Sequence, residues 1–219
     1  MITRGYVRSR KSSGAPALPR DFYDRPTEVV ARELLGAVLE CRTRDGFASG
    51  RIVETEAYLG EHDLACHAAA GRTTRTDPLY GAPGLAYVYF IYGMYWCFNA
   101  VTRAEGLPSA VLVRALEPLE GIDLMRQRRR LRSKRDTDLT NGPGKLCLAL
   151  GITGEHNRLP LDVPPLLIRR GVDVPRQAVT VTPRIGISRS ADWPLRWFVT
   201  DSPFVSKTPR HFSRRPAER

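Results

Sequence analysis

The chain has 219 residues, of which 42% are hydrophobic and 26% charged, as in a soluble globular protein of one domain or two small ones. Lys and Arg number 34 against 23 Asp and Glu, and the resulting net charge of +11 favours a polyanionic partner, nucleic acid before an anionic membrane surface. The four cysteines, Cys41, Cys66, Cys97 and Cys147, form no CxxC pair, which argues against a zinc ribbon or a cysteine-ligated cluster.

The N-terminal residues 1–20 are basic and contain Gly, Ser and Pro, but no apolar segment of the kind found in secretory signals. We expect a flexible basic arm, either without a role or in contact with phosphates, on a cytoplasmic protein with reduced thiols. A helix is then predicted with Thr27 as its N-cap, an apolar stripe from Val29 to Leu35, and Gly36 as its end.

Two strands, 37–41 and 49–58, are predicted on either side of an Asp45-Gly46 turn. In the second strand, alternation places Ile52, Glu54 and Glu56 on one face. Because unpaired buried charge is costly, this face is either solvated, which we favour, or lines a site that needs a carboxylate. Residues 61–70 are predicted to be helical with His67 near the end, a position open to an acid–base, pocket-wall or plain surface role.

The segment 84–101, GLAYVYFIYGMYWCFNAV, contains four of the eight tyrosines. Its alternation predicts a β-hairpin with Tyr87, Tyr89 and Ile91 on one face and a turn at Gly93. The tip then carries Tyr92 outward, although an aromatic core hairpin would produce the same pattern.

A further strand, AVLVRAL over 110–116, carries Arg114, which must meet a structural carboxylate or a phosphate. A helix is predicted over 117–130, with a basic cluster that is either a solvated face or a phosphate contact: Arg126, Arg128, Arg129, Arg130, Arg132, Lys134 and Arg135. NGPGKLCLALGI, 141–152, predicts a turn that opens a short helix, and it lacks the spacing of a nucleotide-binding P-loop.

Short strands are predicted at 166–168, 179–182, 185–187 and 196–199, and the chain loses its apolar periodicity from Ser202 onward. We expect one α+β domain over residues 21–205, built around a curved, mainly antiparallel sheet with flanking helices and a protruding hairpin. A flexible tail would follow over 206–219.

The motifs RIVETEAYLG, His67, PGLAYVYFIYGMYWCFN, VLVRALEPLEG and NGPGKLCLALGI occur in an order that closely resembles the alkyladenine (3-methyladenine) DNA glycosylase family. The resemblance covers about residues 34–205. It implies a monofunctional, cofactor- and metal-free monomer that flips alkylated or deaminated purines out of duplex DNA and hydrolyses their N-glycosidic bonds. The implied lesions are 3-methyladenine, 7-methylguanine, hypoxanthine and ethenoadenine.

The resemblance also implies roles for single residues. Glu56 matches the general base, and Tyr58, His67 and Tyr89 match the walls around the flipped base. Further matches are Tyr92 to the wedge that enters the minor groove, Asn99 to the residue that disfavours guanine, and Arg114 to an arginine near the flipped nucleotide.

Two other interpretations of the function remain open at this point. A non-catalytic nucleic-acid-binding module would use the same basic surface and hairpin, and it would not need Glu56. A hydrolase of free nucleosides or small glycosides would not need the basic surface, and its activity would depend little on salt.

Overall fold

The computed structural model describes residues 14–131 and 135–206; the predictions for residues 1–13, for Arg132 and Lys134, and for the tail beyond Ser206 lie outside this range. The helices there are α1 (Arg20–Tyr23), α2 (Thr27–Glu33), α3 (Ile122–Arg129) and α4 (Pro143–Leu150). The strands are β1 (Val38–Thr43), β2 (Gly46–Tyr58), β3 (Ala86–Ile91), β4 (Tyr95–Thr102), β5 (Ser109–Glu120), β6 (Leu166–Arg169), β7 (Val179–Thr182) and β8 (Arg196–Val199).

One antiparallel sheet contains the eight strands, in the order β3-β4-β5-β2-β1-β6, with β8 pairing both β2 and β7. Strand β2 is central, because its first half pairs with β1, its second half with β8, and its other edge with β5. Register shifts beside Glu54 mark β-bulges, which bend and twist a strand. The prediction of an α+β fold around a mainly antiparallel sheet is confirmed.

The two faces of the hairpin β3–β4 pack against different clusters, as its alternation predicted. Ala86, Val88 and Phe98 join the main core, which also contains residues of α2 and α4. Tyr87 and Val101 face the other way and pack in a smaller cluster with Leu79. This second cluster lies beneath the candidate site described below.

Helix α2 differs from its prediction at both ends. Its N-cap is Pro26, whereas Thr27 is the first helical residue and its hydroxyl forms a 2.9 Å hydrogen bond with the hydroxyl of Thr102. The helix ends at Glu33, before Gly36, which has a φ of +89° and leaves no room for a side chain against the carbonyl of Val172. Val29, predicted in the apolar stripe, is 39% exposed.

The predicted helix over 61–70 is wrong. Both oxygens of the Asp63 carboxylate accept backbone N–H groups, from Leu59 and Ala65, and such local bonds compete with the helical pattern. Only a 3₁₀ turn over His67–Ala70 follows, so His67 begins a short turn instead of ending a helix.

Two other element boundaries are also corrected. Strand β5 continues through Glu120, so the helix predicted from residue 117 begins only at Ile122. No strand forms over 185–187, where the chain bends along the site. The turn and helix predicted over 141–152 are confirmed by α4. The helix ends before Gly151, and this glycine has a left-handed backbone conformation.

The described ends of the chain pack on the domain. Leu18 is buried and its N–H donates to the carbonyl of Ile168 on β6. The prediction that the chain is frayed from Ser202 onward is wrong up to Ser206, because Phe204 and Ser206 are buried.

Several arginines of the basic cluster are bonded within the protein, whereas Arg130 is exposed to solvent. Arg128 pairs with Asp45 and donates to the carbonyl of Ala149, and Arg129 donates to the carbonyl of Leu139. These arginines join α3 to the turn between β1 and β2 and to the end of α4.

Candidate active site

Strand β2 brings Glu54 and Glu56 into the interior, and the prediction of a solvated face is therefore wrong. Both side chains are fully buried. The sequence left the alternative of a site that needs a carboxylate, and the contacts of the two residues differ in a way that fits it. The cations that make their burial possible are Arg114 on β5 and Arg196 on β8.

Glu56 accepts three hydrogen bonds. Its Oε1 accepts the backbone N–H of Ile185 at 2.8 Å, and its Oε2 accepts the Tyr58 hydroxyl at 2.9 Å and Nη1 of Arg114 at 3.1 Å. An ionised carboxylate offers about four lone-pair positions. Three of them are occupied by protein, which leaves about one for a water molecule.

Glu54 is bonded to two arginines and a serine. Its Oε1 accepts Nε of Arg114 at 3.2 Å, Nε of Arg196 at 2.7 Å and the Ser206 hydroxyl at 2.8 Å, and its Oε2 accepts the Ser206 N–H at 2.6 Å. Of the two alternatives for Arg114, the carboxylate is confirmed: Arg114 donates to Glu54 and also to Glu56. The neighbouring carboxylates outweigh burial and raise the pKa of Arg114, which stays charged.

An open cavity of about 400 Å³ lies beside this network. The three partners of Glu56 line it, whereas Glu56 lies behind them. The other lining residues are mostly apolar or aromatic: Ala65, Cys66, His67, Leu79, Tyr87, Tyr89, Ile91, Tyr92, Tyr95, Cys97, Asn99, Ala110, Leu112, Pro143, Gly144, Gly186 and Ile187. The cavity thus brings together all six residues predicted beside Glu56, namely Tyr58, His67, Tyr89, Tyr92, Asn99 and Arg114.

His67 and two tyrosines form an aromatic wall of the cavity. The His67 ring meets the Tyr89 ring edge to face with centroids 4.5 Å apart, and its Nδ1 lies 2.8 Å from the Tyr87 hydroxyl. Burial, with the nearby Arg75 adding to it, lowers the pKa of His67. Burial raises the pKa of Tyr87 to about 12. A neutral histidine therefore accepts from, or donates to, a protonated phenol at neutral pH.

Tyr58 and Asn99 each have a fixed orientation. Burial and the charge of Glu56 raise the pKa of Tyr58, so the phenol keeps its proton and donates a hydrogen bond to Glu56. The side-chain amide of Asn99 donates to the carbonyl of Tyr87 at 3.1 Å across the hairpin. Both side chains present one defined edge to the cavity.

The hairpin tip combines exposed apolar side chains with a strained backbone. Tyr92 is 79% exposed and has a φ of 54°, which is uncommon for a residue with a side chain. Phe90 and Met94 are also exposed. The tip carries Tyr92 outward, as the sequence predicted, and Tyr92 also lines the cavity.

Several site residues escaped the sequence analysis because their partners are distant along the chain. They include Ile185, Arg196 and Ser206, whose bonds to Glu54 and Glu56 span 129 residues or more. A buried ion pair also joins Asp63 and Arg184, which lie next to the lining residues Ala65 and Ile185 in the sequence. The run Thr-Pro-Arg-Ile-Gly-Ile offered a signal, since it places an arginine among apolar residues.

Two kinds of feature are absent from the described residues: groups of metal ligands and membrane-spanning helices. No group of three or more His, Cys, Asp and Glu side chains in the described ranges could hold a metal ion. No helix within them is long and apolar enough to cross a membrane.

Comparison with known proteins gives a consistent family. The family described as methylpurine-DNA glycosylase (MPG) matches residues 21–203. A protein of Myxococcus xanthus, named "Putative 3-methyladenine DNA glycosylase", is 52% identical over 203 residues, which cover 91% of this chain and 98% of the relative. Proteins with the same name from Koribacter versatilis and Methanocella arvoryzae are 47% and 46% identical, over 91% and 88% of this chain and 97% and 96% of their own lengths. The chain belongs to the methylpurine-DNA glycosylase family.

Proposed function

We propose that this protein is a monofunctional glycosylase that excises alkylated or deaminated purines from duplex DNA and so initiates base excision repair. Its lesions would be 3-methyladenine, 7-methylguanine, hypoxanthine and ethenoadenine. The enzyme would act as a monomer in the cytoplasm, on DNA that contains a damaged purine.

The observation that carries the proposal is the position of Glu56. It is a fully buried carboxylate, held by three hydrogen bonds from residues that line an aromatic cavity. Burial penalises an ionised carboxylate, and here the charge of Arg114 and the two other hydrogen bonds offset that penalty, so Glu56 is held in one orientation beside the cavity. Its one remaining lone-pair position suits a water molecule that faces the cavity.

In the reaction that we propose, Glu56 orients this water and accepts a proton from it. The water oxygen forms a bond to the anomeric carbon of the nucleotide, and the bond from that carbon to the purine nitrogen breaks. The electron pair of the broken bond remains on the departing purine. An alkylated purine that carries positive charge leaves as a neutral base, whereas a neutral purine such as hypoxanthine must also gain a proton.

The cavity walls favour the same substrates. Tyr58, His67 and Tyr89 would enclose a flipped base, and stacking on aromatic side chains contributes roughly 1–3 kcal/mol per base. The faces of tyrosine rings also attract cationic ligands. A neutral His67 adds no repulsive charge, so an alkylpurine cation can enter.

The remaining predicted residues would select and extrude the nucleotide. Tyr92 would enter the minor groove and fill the space that the flipped nucleotide leaves, which offsets part of the lost stacking. Asn99 would oppose the exocyclic amino group of guanine. Arg114 would lie near the flipped nucleotide while it holds Glu56.

The experiment is single-turnover base release from duplex oligonucleotides, each with one of the four lesions, followed by alkaline cleavage of the abasic sites. We expect release from at least one duplex, and a rate that falls steeply with salt at limiting protein, because phosphate contacts release counterions. Binding without release from all four duplexes would favour the binding module. Release from free nucleosides with little salt dependence would favour the small-substrate hydrolase.

A further inference from the structure

A second buried ion pair joins two residues that lie next to cavity-lining residues in the sequence, and neither of its members touches the candidate base. Nη1 and Nη2 of Arg184 donate to the two carboxylate oxygens of Asp63, and both side chains are fully buried. Nη1 also donates to the carbonyl of Ala57 at 2.9 Å, and Nη2 to that of Ser190 at 3.3 Å. The pair therefore ties three separate chain segments together.

Each of these segments supplies a wall of the site. Arg184 immediately precedes Ile185, whose N–H donates to Oε1 of Glu56, and the guanidinium lies 4.7 Å from the centre of the Tyr58 ring. Asp63 accepts the N–H groups of Leu59 and Ala65 and so shapes the loop that leads to His67.

We propose that the Asp63–Arg184 pair is a positioning element of the reaction, acting through Ile185 and Tyr58 on the orientation of Glu56. Two of the three hydrogen bonds to Glu56 come from groups that this pair holds. A carboxylate that loses them can rotate away from the attacking water. Misplacement of about one ångström can cost roughly 100-fold in rate.

Stability alone would not require an ion pair here. Replacing a buried pair by apolar residues of similar volume is often neutral or stabilising, whereas removing one partner is strongly destabilising. The double variant Asp63→Leu/Arg184→Met should therefore fold, and it still lacks the bidentate clamp. This variant therefore distinguishes a purely structural role of the ion pair from a positioning role.

The experiment rests on the proposed function and compares single-turnover base release with affinity for the same duplex. We expect the double variant to fold with a lowered thermal midpoint, because the backbone groups bonded to Asp63 and Arg184 lose their partners. Its DNA dissociation constant should stay within a few-fold of the natural value, and it should release base roughly 10- to 100-fold more slowly. Arg184→Lys keeps the charge without the two-pronged geometry, and we expect it to lie between the natural protein and the double variant.

The matched control is Arg51→Met/Glu117→Leu, which removes another buried pair between β2 and β5, with 2.7 Å between Nη1 and Oε2. This control should release base at the natural rate. A natural rate in the folded Asp63→Leu/Arg184→Met protein, or in Arg184→Lys should the double variant fail to fold, would overturn the positioning role. An equal loss of affinity and rate would also overturn it. No release by the natural protein from any lesion would overturn the proposed function, and the positioning role with it.

Discussion

Glu54 and Glu56, two residues apart on β2, share the guanidinium of Arg114, which donates from Nε to one and from Nη1 to the other. They differ in their other partners. Glu54 is bonded only to Arg114, Arg196 and Ser206, whereas Glu56 is held by residues that all line the cavity. This division suggests that one carboxylate stabilises the site and the other reacts in it.

Glu54→Gln should therefore act on stability. The substitution leaves the buried cations Arg114 and Arg196 without half of their compensation, and breaking a buried ion pair costs about 3–5 kcal/mol. We expect the free energy of unfolding, measured with urea, to fall by that amount. A loss of less than about 1 kcal/mol, the range of exposed ion pairs, would show that Glu54 is not the anchor of this network.

Tyr92 should matter for DNA and hardly for folding, because its side chain is exposed. Tyr92→Gly removes the ring and suits the positive φ better than tyrosine, so we expect stability that is unchanged or slightly higher. Loss of one stacking partner worth about 1–3 kcal/mol corresponds to roughly a 5- to 150-fold slower release at limiting protein.

The control for the hairpin tip is Leu148→Gly, which removes an exposed apolar side chain from α4. It should leave base release unchanged although it lowers stability, since glycine is unfavourable inside a helix. Equal rates for Tyr92→Gly and the natural protein would contradict the wedge role.

Arg75 should tune the protonation of His67. Burial is the main cause that lowers the pKa of His67 below the ordinary value of 6.5, and the positive charge of Arg75 lowers it further because it disfavours a second positive charge. Arg75→Gln removes the repulsion, so the pKa of His67 should rise toward 6.5. The measurement is an NMR titration of the His67 imidazole, and Arg25→Gln is the control. An unchanged or lower titration midpoint in Arg75→Gln would contradict the effect of Arg75 on His67.

The sign of the linked stability follows from the same shift. A histidine with a lowered pKa in the folded state binds its proton more readily when the chain is unfolded. His67 therefore costs no stability well above pH 6.5, and its cost grows as the pH falls below 6.5 toward the folded-state pKa. The Arg75→Gln variant should lose less stability than the natural protein over that interval.

The sequence predicted best the features that depend on neighbouring residues. The alternation of Tyr87, Val88 and Tyr89 is local, and the structure confirms the hairpin and the two faces that it indicates. The run over 141–152 was predicted as a turn that opens a short helix, and α4 confirms it. Its Pro143 start and its Gly151 end are also local features.

Features that depend on distant partners were predicted poorly. The burial of Glu56 depends on Arg114 and on the N–H of Ile185, which alternation along β2 cannot reveal. The helix predicted over 61–70 failed because Asp63 accepts local backbone donors and also pairs with Arg184, 121 residues away. The family resemblance, by contrast, named six residues that line one cavity, with Glu56 buried behind them, without knowledge of these contacts; their roles stay predictions.

The most direct test of the account is single-turnover release of hypoxanthine or ethenoadenine by the natural protein and by Glu56→Gln. Glutamine keeps the shape of the side chain but is a poor proton acceptor, and a general base contributes about 10²–10⁴-fold. We predict a rate lowered by at least about 100-fold with DNA affinity retained, and a natural rate in the control Glu117→Gln. Release by Glu56→Gln within a few-fold of the natural rate would contradict the role of Glu56 as the base.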